Sequence, residues 1–332
     1  MNLSNSTIDK IGEIIRQGKN VNEYDASVAI LNEWRESHGE ILDEFYDKCV
    51  VLAEKIDKSN IIVAQRLKRL PTIIGKLNRF KNMRLSSMQD VAGVRVVVDD
   101  MDQFRKVERQ IRRWENLVKI SDYIDEPKSS GYRGKHYIFK KNGMFVEIQL
   151  RTNLQHLWAT SVETTDLFRG SSLKEKDDGT YWHDFFCQVS SIFALSENAK
   201  PVFDYKGLGL GELCDLLGDN MRRNHIDSQI TSFALTEPII ADQRAKNAYY
   251  MVISLDFGKK EATITRYKES EYHKAFEKYR QLEQANAANK QTVMIAVNQI
   301  KKIRDAYPNY FMNLSVFLII INFILANNNK KR

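Results

Sequence analysis

The chain contains little cysteine, and what it has is scattered. Three cysteines, at positions 49, 187 and 214, are spread over 332 residues. An odd number at such wide spacing argues against a disulfide framework, and no pair has the short separation of a zinc site. The sequence therefore argues against a disulfide-stabilised secreted scaffold and against a cysteine-based zinc module.

Long apolar runs are also scarce. The first twenty residues, MNLSNSTIDKIGEIIRQGKN, are polar and contain no apolar core of a secretory signal. The stretch SVFLIIINFILA at 315–326 is markedly apolar, but it is shorter than the roughly 18 to 20 residues that a spanning helix needs. We therefore expect a cytoplasmic protein with no membrane attachment, in which this stretch is a buried helix.

The composition is that of a folded protein with a basic balance. Apolar residues make up 43% of the chain and charged residues 28%, and the length suggests about two domains. Lysine and arginine number 50 against 43 aspartates and glutamates, which gives a net charge of +7. Such a charge fits polyanionic ligands such as nucleotides or tRNA, but it is weak evidence alone. Function has to be inferred from motifs.

A turn-rich loop at 125–134 lies between two β-like runs, at 117–124 and 136–140. Loops of this kind form rims where functional groups tend to be found. Lys128 can supply a point charge for a phosphate, and Tyr132, next to a glycine, offers a flat face for a nucleobase. An ordinary surface turn with a packed tyrosine would give the same pattern.

Two carboxylates are associated with neighbouring β-like runs. The strand predicted at 144–150 alternates apolar residues with Glu147 and Gln149, so these polar side chains need not enter the core. Asp90 directly precedes an apolar, β-branched run at 91–98 that reads as a buried strand. If the two strands are neighbours, Asp90 and Glu147 can share a magnesium ion, and Glu147 is the candidate base. A solvated glutamate is the plainer alternative.

A basic segment, AQRLKRLPTIIGKLNRFKNMR, precedes Asp90. Its apolar positions predict a helical segment that is interrupted near Pro71. Basic helices are usually solvated faces, but beside a pair of carboxylates this one becomes a candidate clamp for a triphosphate. Its basic residues are Arg66, Lys68, Arg69, Lys76, Arg79, Lys81 and Arg84.

Five motifs follow one another in order: RLKRLPTIIGKL, QDVAGVRVVV, DYIDEPKSSGYRGKH, VEIQLRT and QHLWAT. Together they resemble the RelA/SpoT nucleotide pyrophosphokinases, which make the alarmones ppGpp and pppGpp, and the toxic small-synthetase relatives of these enzymes. The resemblance covers roughly residues 60–196. It implies an α+β fold with a nucleotidyltransferase-like mixed sheet flanked by helices. The implied reaction transfers the β,γ-pyrophosphate of ATP to a 3'-hydroxyl and releases AMP.

The resemblance also implies a role for each matching position. Glu147, Asp90 and Lys128 would be catalytic, with Mg²⁺ held by the two carboxylates and the acceptor hydroxyl activated by Glu147. Tyr132 would stack on the acceptor base, and His156 would support the site from the following helix. The ATP donor would contact Arg66, Lys68, Thr72 and Lys76, and the phosphates and acceptor would be oriented by Lys128, His136, Gln149 and Arg151.

The acceptor loop departs from the common family pattern at three positions. Ser121 stands where a lysine is frequent, Ser130 where an asparagine is frequent, and Gly134 where a serine is frequent. These changes leave two acceptors open: GDP or GTP, giving (p)ppGpp, and the 3' end of tRNA, which toxic relatives with similar loops modify. A third hypothesis is a catalytically silent nucleotide sensor, against which the retained Asp90, Lys128 and Glu147 argue.

Three regions are predicted: a helical bracing segment at 1–59, the synthetase-like domain at 60–200, and a helical and β-rich α+β appendage with a terminal helix at 201–332. In the appendage we expect strands at 230–235, 249–257, 262–267 and 292–297 and a helix within 269–289. With the aromatic segment at 306–311, this layout resembles fused toxin–antitoxin synthetases of the CapRel type. There the C-terminal domain blocks the donor site until a phage protein binds. Six dispersed histidines do not fit the HD-type hydrolase domain of other family members.

Overall fold

A mixed β-sheet runs through the protein. The computed structural model describes residues 4–18, 20–57, 59–169, 181–227, 230, 249–256, 259, 261–285, 290–297 and 314–330. The strands are β1 (Ile62–Leu67), β2 (Ala92–Val98), β3 (Leu117–Asp122), β4 (Lys135–Lys141), β5 (Met144–Thr152), β6 (Tyr250–Asp256), β7 (Glu261–Tyr267) and β8 (Lys290–Val297). Their spatial order is β3-β4-β5-β2-β1-β8-β6-β7. The pair β2 and β5 is parallel, and the other pairs are antiparallel.

Helices cover the sheet and fill the connections between strands. They are α1 (Asn5–Gln17), α2 (Val21–Glu36), α3 (Gly39–Asp57), α4 (Leu70–Arg79), α5 (Met101–Ile111), α6 (Asn153–Arg169), α7 (Tyr181–Ser196), α8 (Leu210–Asn224), α9 (Tyr272–Gln284) and α10 (Ser315–Lys330). The predicted α+β class, a mixed sheet flanked by helices, is confirmed. The three domain boundaries stay a prediction.

The parallel pairing of β2 with β5 is a consequence of their apolar, β-branched sequences. Val94 and Val96 in β2 and Val146, Ile148 and Leu150 in β5 are all buried. They form one core with residues of α3 and α5. Buried parallel strands commonly read as continuous apolar runs, as β2 does.

A second core lies behind the loop at 123–134 and is rich in aromatic rings. Trp158 of α6 packs edge-to-face on Phe186 of α7 with ring centroids 6.0 Å apart, and Phe186 stacks on Phe317 of α10 at 5.9 Å. The indole Nε1 of Trp158 also donates to the backbone carbonyl of Phe186 at 2.7 Å. Such ring pairs contribute about 0.5–1.5 kcal/mol each beyond the area that they bury. Helix α10 is thereby packed against the rest of the chain.

The prediction of an interrupted helix through the basic segment is wrong at its beginning. Arg66 lies in β1, opposite Gly93 of β2, and α4 begins only at Leu70. The β-branched residues Ile62 and Val63 start a strand that pairs with β2 along its whole length. Pro71 occupies the first turn of α4, where its missing N–H leaves no intrahelical bond unmade.

In the part of the chain that the structure describes, the strands predicted at 249–257, 262–267 and 292–297 and the helix of the appendage are confirmed. The strand predicted to begin at Ile230 is wrong at that residue, which is helical. Strands β6 and β7 pair as a hairpin, β8 pairs with β6, and α9 lies within the predicted helical stretch. Strand β8 also pairs with β1, where Ala64 is opposite Val297, so the appendage extends the sheet formed by β1 to β5. The predicted residues 231–235 and 306–311 lie outside the described residues.

The apolar stretch at 315–326 is helical and buried on one face only. Phe317 and Ile321 of α10 are buried, whereas Val316, Ile319 and Phe323 are exposed. Among the described residues, no helix has the length and apolar character needed to cross a membrane. The prediction of a helix is therefore confirmed, and the prediction that it is buried holds for the face with Phe317 and Ile321 but not for the exposed face.

Two glycines with positive φ provide a test of the packing behind the loop. Gly131 has φ +87°, and a Cβ there would lie 2.9 Å from Cζ2 of Trp158; Gly143 has φ +80° and open space around it. Gly143→Ala should lower the free energy of unfolding by roughly 1–2 kcal/mol through backbone strain alone. Gly131→Ala should lose roughly 1–3 kcal/mol more through overpacking. Urea unfolding of both variants measures the difference, and equal losses would contradict the tight packing.

Candidate active site

A cleft opens on the sheet where β1, β2 and β5 lie side by side. In the parallel pair, Gly93 of β2 is opposite Glu147 of β5, and Asp90 lies just before β2 begins. Gly93 has no side chain to fill the space between its neighbours. The cleft is lined by Ala64, Arg66, Lys68, Asp90, Gly93, Val94, Arg95, Glu147 and Gln149.

Asp90 is held by two lysines on one side of the cleft. Lys68 Nζ lies 3.0 Å from Asp90 Oδ2, and Lys76 Nζ lies 2.9 Å from both carboxylate oxygens. Burial alone would raise the pKa of Asp90, but the two ammonium groups outweigh it and lower the pKa to about 2. Burial lowers the pKa of Lys68 despite its contact with Asp90. The result is a compact cluster with one excess positive charge.

Glu147 is held on the other side by His136 and Gln149. His136 Nδ1 lies 2.8 Å from Glu147 Oε1, and Gln149 Nε2 donates to Oε2 at 2.7 Å. Burial and the charge of Asp90 would raise the pKa of Glu147. The charge of His136 and the hydrogen bonds from His136 and Gln149 outweigh them and hold the pKa below its ordinary value. Glu147 is therefore ionised at neutral pH.

The hydroxyl of Tyr132 links His136 to Arg151. Tyr132 Oη lies 2.5 Å from His136 Nε2, and Arg151 Nη2 donates to the same oxygen at 2.8 Å. Arg151 Nη2 also lies 3.1 Å from Gln149 Oε1, which it donates to. One hydrogen-bonded chain thus runs from Arg151 through Tyr132 and His136 to the Glu147 carboxylate.

The loop around Tyr132 is less exposed than the predicted rim. Tyr132 is only 5% exposed, and its ring lies edge-on to Tyr123, His136 and Trp158. The reason is α7, where Ser190 Oγ donates to the carbonyl of Gly131 at 2.5 Å and draws the loop into the aromatic core. Base stacking by Tyr132 stays a prediction, and the structure gives its hydroxyl a definite set of partners instead.

Seven predicted residues are not among those that line the cleft. Lys76, His136 and Arg151 contact residues that do, and Tyr132 contacts His136 and Arg151. The other three lie elsewhere. Lys128 is exposed on the loop, with Nζ 4.5 Å from the ring centroid of Tyr123 and 5.2 Å from that of Tyr132. Thr72 is exposed on the first turn of α4. His156 is buried in α6, where its carbonyl accepts from Thr160 Oγ1 at 2.9 Å. Their predicted roles as phosphate, donor and supporting residues stay predictions.

Sequence reasoning missed two residues. Arg95 lies in β2 between Ala64 of β1 and Gln149 of β5, is 7% exposed and lines the cleft. The signal was an arginine inside an otherwise apolar, β-branched strand, because burying a charge costs free energy unless the charge is paired or hydrogen-bonded. Tyr123, half-buried beneath Lys128, was passed over although it lies within the DYI motif.

The donor set of the cleft fits a hard divalent cation that is shared with a substrate. Asp90 and Glu147 supply two carboxylates, and no cluster of three or more His, Cys, Asp or Glu suited to a metal occurs among the described residues. Mg²⁺ is commonly bound by one or two carboxylates together with waters and substrate phosphates. Asp90 and Glu147 are therefore the residues that would hold it.

Most of the residues that line this cleft lie in a part of the chain that matches a known protein family. Residues 65–168 match the family model described as the region found in RelA / SpoT proteins. An uncharacterized protein of Mycobacterium tuberculosis is 30% identical over 163 residues, which cover 48% of this chain and 58% of that protein. GTP pyrophosphokinase YjbM of Bacillus subtilis is 31% identical over 127 residues, which cover 34% of this chain and 60% of that protein. The chain thus spans less than two thirds of these relatives.

Solved structures give similar matches. The small alarmone synthetase 1 from Bacillus subtilis bound to its product pppGpp matches with a TM-score of 0.42 and 23% identity, covering 50% of this chain and 93% of that one. The small alarmone synthetase 2 from the same organism matches with a TM-score of 0.43 and 22% identity, covering 51% and 94%. The residues that match the family model, 65–168, include every residue that lines the β1–β2–β5 cleft except Ala64.

The cluster around Asp90 predicts a measurable titration. Lys76→Met removes one ammonium group while keeping the side-chain length, so the pKa of Asp90 should rise from about 2. Because that pKa lies below the ordinary value of 3.8, Asp90 stabilises the fold above about pH 4, and this stability is lost as the pH falls toward 2. NMR titration of the Asp90 carboxyl carbon measures the change. Lys81→Met, at an exposed position, is the matched control, and an equal response to both would contradict the cluster.

Proposed function

We propose that the protein is an ATP-dependent pyrophosphokinase that transfers the β,γ-pyrophosphate of ATP to the 3'-hydroxyl of GDP or GTP. The observation that carries the proposal is the shared cleft of Asp90 and Glu147. Asp90 is contacted by two lysines, and Glu147 is contacted by His136 and Gln149. A single cleft thus combines a positively charged side that can bind a polyanion with a carboxylate, that of Glu147, that can take a proton.

The donor triphosphate would bind on the lysine side. Lys68 and Lys76 supply two ammonium groups there, and Arg66 and Arg95 line the same cleft from neighbouring strands. Arginine and lysine clamps stabilise the charge that spreads over a transferring phosphoryl group. Asp90 and Glu147 would hold Mg²⁺, which would supply Lewis-acid stabilisation of the charge on the transferred phosphates.

The acceptor would bind on the Glu147 side. Its 3'-hydroxyl oxygen attacks the β-phosphorus of ATP and forms the new O–P bond, while the bond from that phosphorus to the oxygen bridging the α-phosphate breaks. The released electron pair stays on the bridging oxygen, so AMP leaves. Glu147, ionised at neutral pH, takes the hydroxyl proton, and His136 and Gln149 fix the direction of its carboxylate.

The choice of guanosine nucleotides as acceptors is supported by a relative. The Bacillus subtilis protein that matches 34% of this chain is named a GTP pyrophosphokinase. The chain's own contribution is the hydrogen-bonded series Arg151–Tyr132–His136, which can hold an acceptor against Glu147. Inhibition by the appendage and a phage trigger stay predictions from the sequence.

Replacing the base provides the first test of the mechanism. Glu147→Gln keeps the size of the side chain but cannot take the hydroxyl proton, so transfer of label from [γ-³²P]ATP should fall by roughly 10²–10⁴-fold. Glu126→Gln makes the same change at an exposed position between β3 and β4, so it is the matched control and should keep full activity. Thin-layer chromatography of the labelled product measures both. Full activity in Glu147→Gln would refute the assigned base.

The acceptor itself is identified by a parallel experiment. The wild-type protein is incubated with [γ-³²P]ATP and Mg²⁺, together with GDP, GTP or deacylated tRNA in separate reactions. Label in pppGpp or ppGpp is the expected result. Label at the 3' end of tRNA, with none in guanosine nucleotides, would reject the proposed acceptor while keeping the reaction type.

A further inference from the structure

Helix α4 lacks a cap of its own. Its N-cap position is Arg69, whose side chain makes no capping hydrogen bond, and Pro71 occupies the first turn. The first amides of a helix have no intrahelical acceptor, so they need a partner from elsewhere. The backbone N–H of Leu70 finds one on α9, where Glu283 Oε1 accepts it at 3.1 Å.

Glu283 is placed for this contact by a buried network. Its side chain is 7% exposed, and Oε2 lies 3.7 Å from Nη2 of Arg35, which is 1% exposed on α2. Arg35 Nη1 donates to Tyr279 Oη at 3.0 Å and to the carbonyl of Lys68 at 3.5 Å. The network therefore holds the backbone of the segment 68–70 from both sides, by its carbonyl at Lys68 and by its amide at Leu70.

That segment connects two residues of the donor side. Lys68 is its first residue, Lys76 follows it within α4, and both lysines contact Asp90. A shift of the α4 N-terminus would therefore move at least one ammonium group away from the carboxylate. A carboxylate at this end of a helix is also favoured by the helix dipole.

Glu283 does not fill the cleft that it supports. The lining residues of the cleft all belong to β1, β2, β5 and the segments next to them, and none belongs to the described residues of β6, β7, α9 or β8. The contact is therefore with the backbone beside the donor side, and a triphosphate in the cleft would not compete for it.

We propose that Glu283 of the appendage is a positioning residue for the donor site. Its carboxylate accepts the first amide of α4, in place of a capping side chain on α4 itself, and thereby holds Lys68 and Lys76 in the arrangement that binds ATP. The inference rests on the proposed function for the identity of the donor. On this proposal the appendage strengthens the binding of the donor, which is the opposite of the effect expected from an inhibitory domain.

The test compares three variants of the full chain. Glu283→Ala removes the acceptor oxygen, Glu283→Gln keeps an oxygen but loses the charge, and Glu277→Gln changes an exposed glutamate of the same helix as the matched control. Binding of a non-hydrolysable ATP analogue is measured by calorimetry, and KM and kcat are measured for ATP and for the acceptor. Amide hydrogen exchange of residues 68–79 reports the cap directly, without any need for catalysis.

The expected result is a split between the two substrates. Glu283→Ala should raise the Kd and KM for ATP at least fivefold, leave the acceptor KM within twofold, and speed amide exchange in 68–79. Glu283→Gln should lie between Glu283→Ala and wild type, and Glu277→Gln should match wild type. The Gln variant keeps the side-chain volume, so it serves if the Ala variant fails to fold.

Three results would overturn the proposal. Unchanged exchange in 68–79 would show that Glu283 is not the cap, and faster exchange with unchanged ATP affinity would show that the cap does not position the donor site. Higher activity in the variants would show inhibition by this contact. Failure of the proposed function is separate, because wild type would then bind the ATP analogue weakly or transfer no label, whereas the exchange result would stand.

Discussion

The parallel pairing of β2 with β5 is the constraint on which the cleft depends. Its register sets Gly93 opposite Glu147, so that the carboxylates of Glu147 and Asp90 line the same cleft. Side chains alternate along a strand, and a slip of one residue would therefore turn Glu147 and Gln149 into the core and Ile148 out of it. The buried valines and isoleucine of these strands make that exchange costly. Packing of the core thereby fixes the geometry of the polar site.

Much of this arrangement follows from local sequence pattern. The apolar run of β2 and the alternation in β5 predict the two strands, with Glu147 and Gln149 pointing away from the core. That β2 and β5 are neighbours, with Gly93 opposite Glu147, was a condition of the prediction and comes from the structure. The prediction of helix is wrong at Arg66 and Leu67 because, over so few residues, the spacing of basic and apolar residues fits the two-residue repeat of a strand as well as the 3.6-residue repeat of a helix. Pairing of β1 with β2, a non-local contact, decides for strand.

Other features depend on residues far away in the chain and could not be predicted from local pattern. Burial of Tyr132 requires α7, whose Ser190 draws in the loop across 59 positions of sequence. The cap on Leu70 requires Glu283, which lies 213 positions away. Neither partner has a recognisable motif, since a serine or a glutamate on a helix is ordinarily solvated. Long-range polar contacts of this kind become visible only once the fold brings the helices together.

The ring series from Phe317 through Phe186 and Trp158 to Tyr132 has a consequence for the order of events during synthesis. A chain emerges from the ribosome beginning at its N-terminus, so β1 to β5 are available well before α10. Until α10 is made, Phe186 has Trp182 beside it but lacks the ring of Phe317, so the aromatic core behind the loop at 123–134 has an open face. A nascent chain can thus have the carboxylates in place before the support behind Tyr132 is finished, which links maturation of the site to the emergence of its most distant helix.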